Sequence, residues 1–389
     1  MNVQNIWKLY VIRFFYHLIP AYVIERLYWE ERGMTVPMVV ATEILYAVTI
    51  VLLEVPSGIM ADKWGRKRLI VLSAFLGCLE FLILVFASQF WHFALVVFLA
   101  AIGSSAASGA ENALLYDSLR SEGKEAAFEK IVGRLNAVDV VSIMLAALSG
   151  SLLAGKFGFT FNYWLSLGSM IIATAVTLLL KEPERGNIGE DQGSIPFKTY
   201  ITEAIRFFRN HPGVYAVILT GMAIGAAITY VDEFWQLYLA LLGIPTAAFG
   251  IFSAGLFVTR LPGSLLAYKL KGVMSMRAIL LTVMTVTAIG YVYIASVDNW
   301  TGLIALFLIC MAAGVVEPLA SGYLHHRIDS SMRATIDSFQ SLGLNAALIM
   351  VGAGFGYFAA RLGLLGGFGF LAAFVIVFLG FFAARSRAV

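Results

Sequence analysis

Long apolar runs separated by short polar stretches repeat from one end of the chain to the other. A helix needs about 20 residues to cross the hydrocarbon of a bilayer. On that scale the runs predict crossings at 6–29, 36–60, 69–88, 92–118, 129–156, 161–181, 212–240, 246–268, 277–296, 300–325, 335–360 and 363–384. They are too long for barrel strands and do not alternate polar with apolar, so helices are predicted throughout. The longest polar stretch, 182–211, divides the twelve crossings into six and six. The expected architecture is an all-α membrane protein, with one six-helix bundle over 1–181, a linker over 182–211 and a second bundle over 212–389. Inside the linker, Tyr200, Ile201, Ala204, Ile205 and Phe208 fall on one side of a helix over 197–208. That pattern suits either a helix lying on the membrane surface or an ordinary linker helix.

Composition agrees. Of 389 residues, 60% are hydrophobic and 13% charged, against about one quarter charged in soluble domains; mean hydropathy is +0.84. Lipid is the expected partner of most of this surface. The net charge of +3 is small and gives no reason to expect nucleic acid. Cys78 and Cys310 both lie in apolar runs and read as small buried hydrophobes, with no disulfide or metal site expected. Arg13 and His17 interrupt the first run, which is therefore expected to be a retained crossing and not a cleaved signal.

Positive residues favour the connections after the even-numbered crossings, among them Lys63, Arg66, Lys67 and Arg68 after the second and Lys181 and Arg185 after the sixth. Such residues stay cytoplasmic, which places both termini inside a cell (inner or plasma) membrane. No phosphate-binding Walker loop is present, so direct ATP drive and a resident cofactor are not expected.

The two halves echo each other. Glu111, Tyr116 and Arg120 find counterparts in Glu317, Tyr323 and Arg327, and Leu135-Asn136-Ala137 in Leu344-Asn345-Ala346, at offsets near 205–209 residues. Duplicated bundles of this kind place a solute path between them.

One motif is sharp. The connection between the second and third crossings reads Gly58-Ile59-Met60-Ala61-Asp62-Lys63-Trp64-Gly65-Arg66-Lys67-Arg68. Its Gly, Asp, basic residue, Gly and Arg stand at the spacing of the signature loop of the major facilitator superfamily, and the loop sits where that family places it. The chain resembles that family over its whole length in number of crossings, central linker and topology. The resemblance implies a twelve-helix secondary transporter working by alternating access, usually as a monomer. It also implies that Gly58, Asp62, Gly65 and Arg66 form a gating latch between the two halves. Proton antiporters of the family often carry an Arg in the middle of the fourth crossing and a Gly-Pro-rich motif in the fifth. Here the fourth has Gly103-Ser104-Ser105-Ala106-Ala107-Ser108-Gly109-Ala110-Glu111 with no Arg before Arg120, and the fifth has glycines but no Pro.

Charges within the crossings supply the candidate chemistry. A charged group deep in a bilayer is costly, so it normally faces a cavity or a partner. Arg13, His17, Asp139, Asp232, Glu233, Arg260 and Glu317 lie on crossings that the family analogy places around a central polar cavity. Glu80, on the third crossing, is less well placed. An acid among Asp139, Asp232, Glu233 and Glu317 is a candidate proton carrier, with Arg13 or Arg260 as its partner; fixed ion pairs between helices are the alternative. Tyr16, Tyr22, Tyr28, Tyr230, Phe234, Trp235 and Tyr238 are candidate lining of an apolar cavity, and Trp29, Trp91, Trp164 and Trp300 candidate members of an interfacial belt. The expected activity is proton-coupled efflux of a small drug-like or metabolic amphiphile. The alternatives are an uptake symporter for a polar or anionic solute and, from another class, a multi-spanning enzyme or receptor. No nucleophile–base or metal cluster favours the last.

Overall fold

The computed structural model describes residues 4–182 except 109 and 122, then 206, 209, 212–325 and 333–385. The expected surface helix over 197–208 falls almost wholly outside them. Among the described residues the secondary structure is helical, with no strand. The helices are α1 (Gln4–His17), α2 (Glu25–Glu31), α3 (Val36–Trp64), α4 (Arg66–Phe86), α5 (Phe90–Ala107), α6 (Ala110–Arg120) and α7 (Phe128–Phe157). There follow α8 (Phe159–Leu178), α9 (Pro212–Leu241), α10 (Phe249–Val273), α11 (Met276–Ser296), α12 (Thr301–His325) and α13 (Arg333–Arg385).

Among the described residues, eight helical stretches are long and apolar enough to cross a membrane, and Thr246–Arg260 and Thr301–Val316 are shorter apolar stretches. The long α13 turns at Gly363, whose φ of 73° lies in the left-handed region, so it supplies the two expected crossings over 335–360 and 363–384. With the first and the fourth crossings each divided in two, these helices fit the twelve-helix expectation.

Four crossings depart from the simple runs drawn on the sequence. The eleventh and twelfth share one bent element. The fourth is split into α5 and α6 after Ala107. The first is split by Pro20: α1 stops at His17, a 3-10 turn covers Pro20–Ile24, and α2 resumes at Glu25. A proline cannot donate its amide to the helix ladder, and its ring crowds the preceding turn.

The break leaves backbone groups that no water inside a membrane can satisfy. Polar side chains of α8 take them up. Ser169 donates to the carbonyl of Phe15 at 2.7 Å, and the Ala21 amide donates to Ser166 Oγ at 3.1 Å. Asn162 Nδ2 donates to the Pro20 carbonyl at 3.0 Å and to the Gly150 carbonyl at 2.8 Å. Gly150 of α7 comes so close that a Cβ there would lie 2.4 Å from the Pro20 oxygen.

Contacts divide the chain into two compact units. The first comprises Met1–Met38, Leu45–Glu190 and Ile244–Ala254; the second comprises Val39–Ile44, Asp191–Gly243 and Gly255–Val389. In the first unit, Leu9, Ile12, Leu69, Ile70, Leu114, Leu115 and Leu135 form a continuous core. Tyr28 stacks on Tyr163 at 3.8 Å and its hydroxyl donates to the Leu84 carbonyl. Trp29 is buried against Phe93 and so does not belong to an interfacial belt. Trp91, Trp164 and Trp300 are exposed, as belt residues must be.

In the second unit, Tyr230, Phe234, Phe355 and Phe368 pack ring against ring, at 5.1 Å for Tyr230–Phe355 and 4.9 Å for Phe234–Phe355. The Tyr230 hydroxyl donates to the Leu348 carbonyl, and Gly352 leaves the room it needs. Tyr230, Phe234, Trp235 and Tyr238 are therefore core residues of this unit and do not line an open cavity.

The seam at Pro20 generates a stability prediction. Asn162→Leu removes two buried hydrogen bonds, to the carbonyls of Pro20 and Gly150, at nearly constant bulk. Such bonds in membranes are worth about 0.6–2 kcal/mol each. Purified Asn162→Leu protein is expected to unfold at a lower temperature than wild type in the same detergent, whereas exposed Ser149→Ala on α7 is expected to leave the midpoint unmoved.

Candidate functional site

The break at Pro20 ends α1 one turn beyond Arg13, and His17, four residues on, shares its helix face. α6 begins at Ala110 and brings Glu111 in its first turn. α7 brings Asn136 and Asp139, three residues apart and hence on one face. These elements converge in the first unit. Arg13 Nε lies 3.3 Å from Glu111 Oε1, and Arg13 Nη2 lies 3.2 Å from Asp139 Oδ2. The same Nη2 donates to Asn136 Oδ1 at 3.2 Å. His17 Nε2 is 3.5 Å from Asp139 Oδ1. The four side chains keep only 16–31% of their accessible surface.

The arithmetic of charge follows. One guanidinium faces two carboxylates, so with both acids ionised and His17 neutral the formal charge of the cluster is −1. A proton on His17 or on a carboxylate brings it to neutrality.

In the second unit, Arg260 of α10 forms an ion pair with Asp232 of α9. Glu233 is the next residue along, and the thiol of buried Cys310 on α12 lies against Arg260. Small residues let α10 and α12 meet backbone to backbone beside the pair: a Cβ on Gly314 would lie 2.3 Å from the Arg260 carbonyl oxygen. Glu317 is on α12, two turns beyond Cys310; its side chain lies outside the described ones. Thus the structure brings together Arg13, His17 and Asp139 in one unit, and Arg260 and Asp232, with Glu233 beside them in sequence, in the other.

The signature loop has its own geometry. Gly65 turns the chain between α3 and α4 with φ 96°. The carboxylate of Glu182, just beyond α8, caps the start of α4, accepting from the amide of Arg66 at 2.9 Å and of Lys67 at 2.8 Å. A negative group there meets the positive end of the helix dipole. The Arg66 guanidinium pairs with Asp117 of α6 and donates to the Ala113 carbonyl at 2.7 Å. Gly58 and Asp62 are in the last turns of α3, with their surroundings outside the described side chains.

Four participants escaped the sequence reading as site residues: Glu111, Asn136, Asp117 and Glu182. Glu111 and Asn136 had surfaced only as members of the internal repeat. Their role depends on the split of the fourth crossing and on which face of α7 meets α1, neither of which a hydropathy pattern contains.

Comparison with known proteins places this geometry. The family model described as Major Facilitator Superfamily matches residues 11–356. An "Uncharacterized transporter" of Buchnera aphidicola subsp. Schizaphis graminum is 27% identical over 173 residues, 44% of this chain and 43% of that protein. A second from Buchnera aphidicola subsp. Acyrthosiphon pisum is 25% identical over 174 residues, with the same coverage. The matched part thus spans less than half the length of these relatives. Among solved structures, the nucleoside transporter NupG superposes with a TM-score of 0.76 at 15% identity, over 100% of both chains. A bacterial homologue of the human lysosomal transporter Spinster, in an inward-facing occupied conformation, gives 0.77 at 13% identity, over 100% of this chain and 98% of that one. A D-xylose–proton symporter gives 0.73 at 11%, over 100% and 99%. At such identities the likeness is one of fold.

The shared guanidinium makes unequal mutants. Arg13→Gln leaves two carboxylates facing each other without a cation and is expected to cost about 1–3 kcal/mol of stability. Glu111→Gln leaves Arg13 with Asp139 and is expected to cost well under half of that. Thermal unfolding of the two purified variants at neutral pH compares them directly; equal losses would contradict the sharing of Arg13.

Proposed function

The chain belongs to the Major Facilitator Superfamily, and we propose that this secondary transporter exchanges protons for a small amphipathic solute, moving the solute out across the cell membrane. The observation that carries this reading is the cluster in which Arg13 is shared by Glu111 and Asp139 while His17 rests on Asp139. Its single missing positive charge can come from a proton or from a cationic group on the solute, but not from both. Occupants that exclude each other, each loaded when the site is open to one side, produce antiport. An inward proton gradient then drives the solute outward.

In this reading Asp139 and His17 hold the exchangeable proton. Arg13 pairs with both acids and fixes the geometry. The pair Arg260–Asp232, with Glu233 and Glu317, forms the second set of polar groups available to the solute. The loop Gly58, Asp62, Gly65 and Arg66 acts as the gate. Its support is that Arg66 is tied to Asp117 on α6, the helix that also carries Glu111 six residues earlier. A change at the cluster is therefore felt at the loop through a single helical segment. Both termini lie in the cytoplasm, on the side that holds the basic connections.

The test is solute flux into proteoliposomes under an imposed pH gradient. A panel of organic cations is expected to accumulate when the lumen is acid and to stay out when the gradient is reversed; accumulation with the opposite sign would mean symport. Asp139→Asn is expected to lower gradient-driven flux at least tenfold, about 1.4 kcal/mol of lost coupling, while exchange at equal pH persists. Undiminished gradient-driven flux in Asp139→Asn would overturn the assignment. Asp117→Asn, which releases Arg66 from α6, is expected to slow flux several-fold without changing its dependence on the gradient's sign.

A further inference from the structure

Three helices of the first unit, α3, α4 and α5, enclose an apolar groove that the transport reading does not use. Its volume is about 260 Å³, and it is lined by Thr49, Leu52, Leu53 and Met60 of α3, Leu69 and Leu72 of α4, and Phe98, Ile102, Ser105 and Ala106 of α5. The only polar atoms offered are two hydroxyls, and that of Thr49 is already donated to the Leu45 carbonyl. Leu52 and Phe98 remain 67% and 41% exposed. In a chain that crosses a bilayer, such surface meets acyl chains.

Length and charge say which part of the bilayer fits. From Thr49 to Met60 the helix rises roughly 16 Å, about half of the ~30 Å hydrocarbon core and therefore one leaflet. The groove reaches the signature loop at one end. Trp64 lies four residues after Met60 on α3, and Arg68 four residues before Leu72 on α4, so each shares the face of a lining residue. Trp64 is 54% exposed and Arg68 is exposed. Unlike Arg66, the side chains of Lys67 and Arg68 make no hydrogen bond or ion pair among the described residues. Among the described residues, Asp117 is paired with Arg66, and the carboxylate of Glu182 is taken by the two amides at the start of α4.

We propose that this groove is a binding site for one anionic phospholipid of the leaflet facing the basic loops. Its acyl chain lies between α3, α4 and α5, and its phosphate is held by Arg68 and Lys67 beside the Trp64 ring. An exposed indole with basic side chains at the end of a leaflet-long apolar groove is complementary to a negatively charged headgroup on a hydrocarbon tail. The occupant sits against Arg66 and α4, so it bears on the gate and not on the charged cluster.

Fluorescence of full-length protein tests this in phosphatidylcholine vesicles that contain a minor fraction of phosphatidylglycerol brominated along its chains. The Trp64 signal is the difference between wild type and Trp64→Phe. It is expected to be quenched about fivefold more effectively by brominated phosphatidylglycerol than by brominated phosphatidylcholine at equal fraction. Arg68→Gln, an exposed change that does not threaten folding, is expected to reduce this preference at least twofold, with Lys67 retaining the remainder. Ser105→Leu fills the groove and removes a hydroxyl that has no hydrogen-bond partner among the described residues; it is expected to lower the quenching by both lipids. Equal quenching by the two lipids in wild type would reduce the site to ordinary annular contact and overturn the proposal. So would an unchanged preference in Arg68→Gln, or Trp64 quenching that falls with protein density because a second copy covers the groove. Proton-driven flux of wild type in the same vesicles reports separately on the transport reading.

Discussion

A backbone carbonyl inside hydrocarbon has no water to turn to, and the first crossing exposes several of them where Pro20 interrupts it. Most of what is distinctive in the first unit follows from how that debt is met. Asn162, Ser166 and Ser169 of α8 supply the missing partners, and Gly150 lets α7 approach the break without a side chain in the way. The seam fixes where α1 stops, and so which way its last turn faces. His17 occupies that last turn and Arg13 the turn before it. The ion cluster with Glu111 and Asp139 is the product of a helix that ends at a set place, against two neighbours held at set distances.

The same constraint explains the uneven legibility of the sequence. Crossings such as Arg66–Phe86 and Met276–Ser296 could be read within a few residues, because hydrocarbon thickness dictates the length of an apolar run. The turn at Gly65 was legible as a glycine in the connection, and the family was legible in the signature loop; the turn at Gly363 fell where two drawn runs meet, but that glycine looked like one of several that let helices pack closely. The division of the first crossing was signalled by Pro20 but hidden by apolar residues on both sides, since hydropathy measures solubility in lipid and is blind to helix continuity. The split of the fourth crossing left only a stretch of small residues from Gly103 to Ala110 as its sign.

Partners were harder than positions. Arg13, Asp139, Asp232 and Arg260 were conspicuous as charges in apolar runs, yet which acid met which base depended on helix rotation. Glu111 and Asp117 were overlooked because they resemble ordinary residues of a polar helix end. Both turn inward, one to each of two arginines on different helices. Conversely, Tyr230, Phe234 and Tyr238 resembled the walls of a cavity and proved to be core, since an aromatic run in a crossing looks the same whether it faces a space or another ring.

The incomplete neutralisation of Arg13's surroundings has an electrical side. Across a membrane, each elementary charge that moves through the full field gains or loses about 2.3 kcal/mol per 100 mV. With both acids ionised and His17 neutral, the cluster of Arg13, Glu111 and Asp139 carries one formal unit of negative charge. With one positive charge added, it carries none. Any motion that shifts this cluster relative to the field is then voltage-sensitive when the cluster is empty and voltage-indifferent when it is filled. In the exchange proposed above the cluster is filled on both strokes, so the resting potential bears only on the unfilled crossing that would uncouple them.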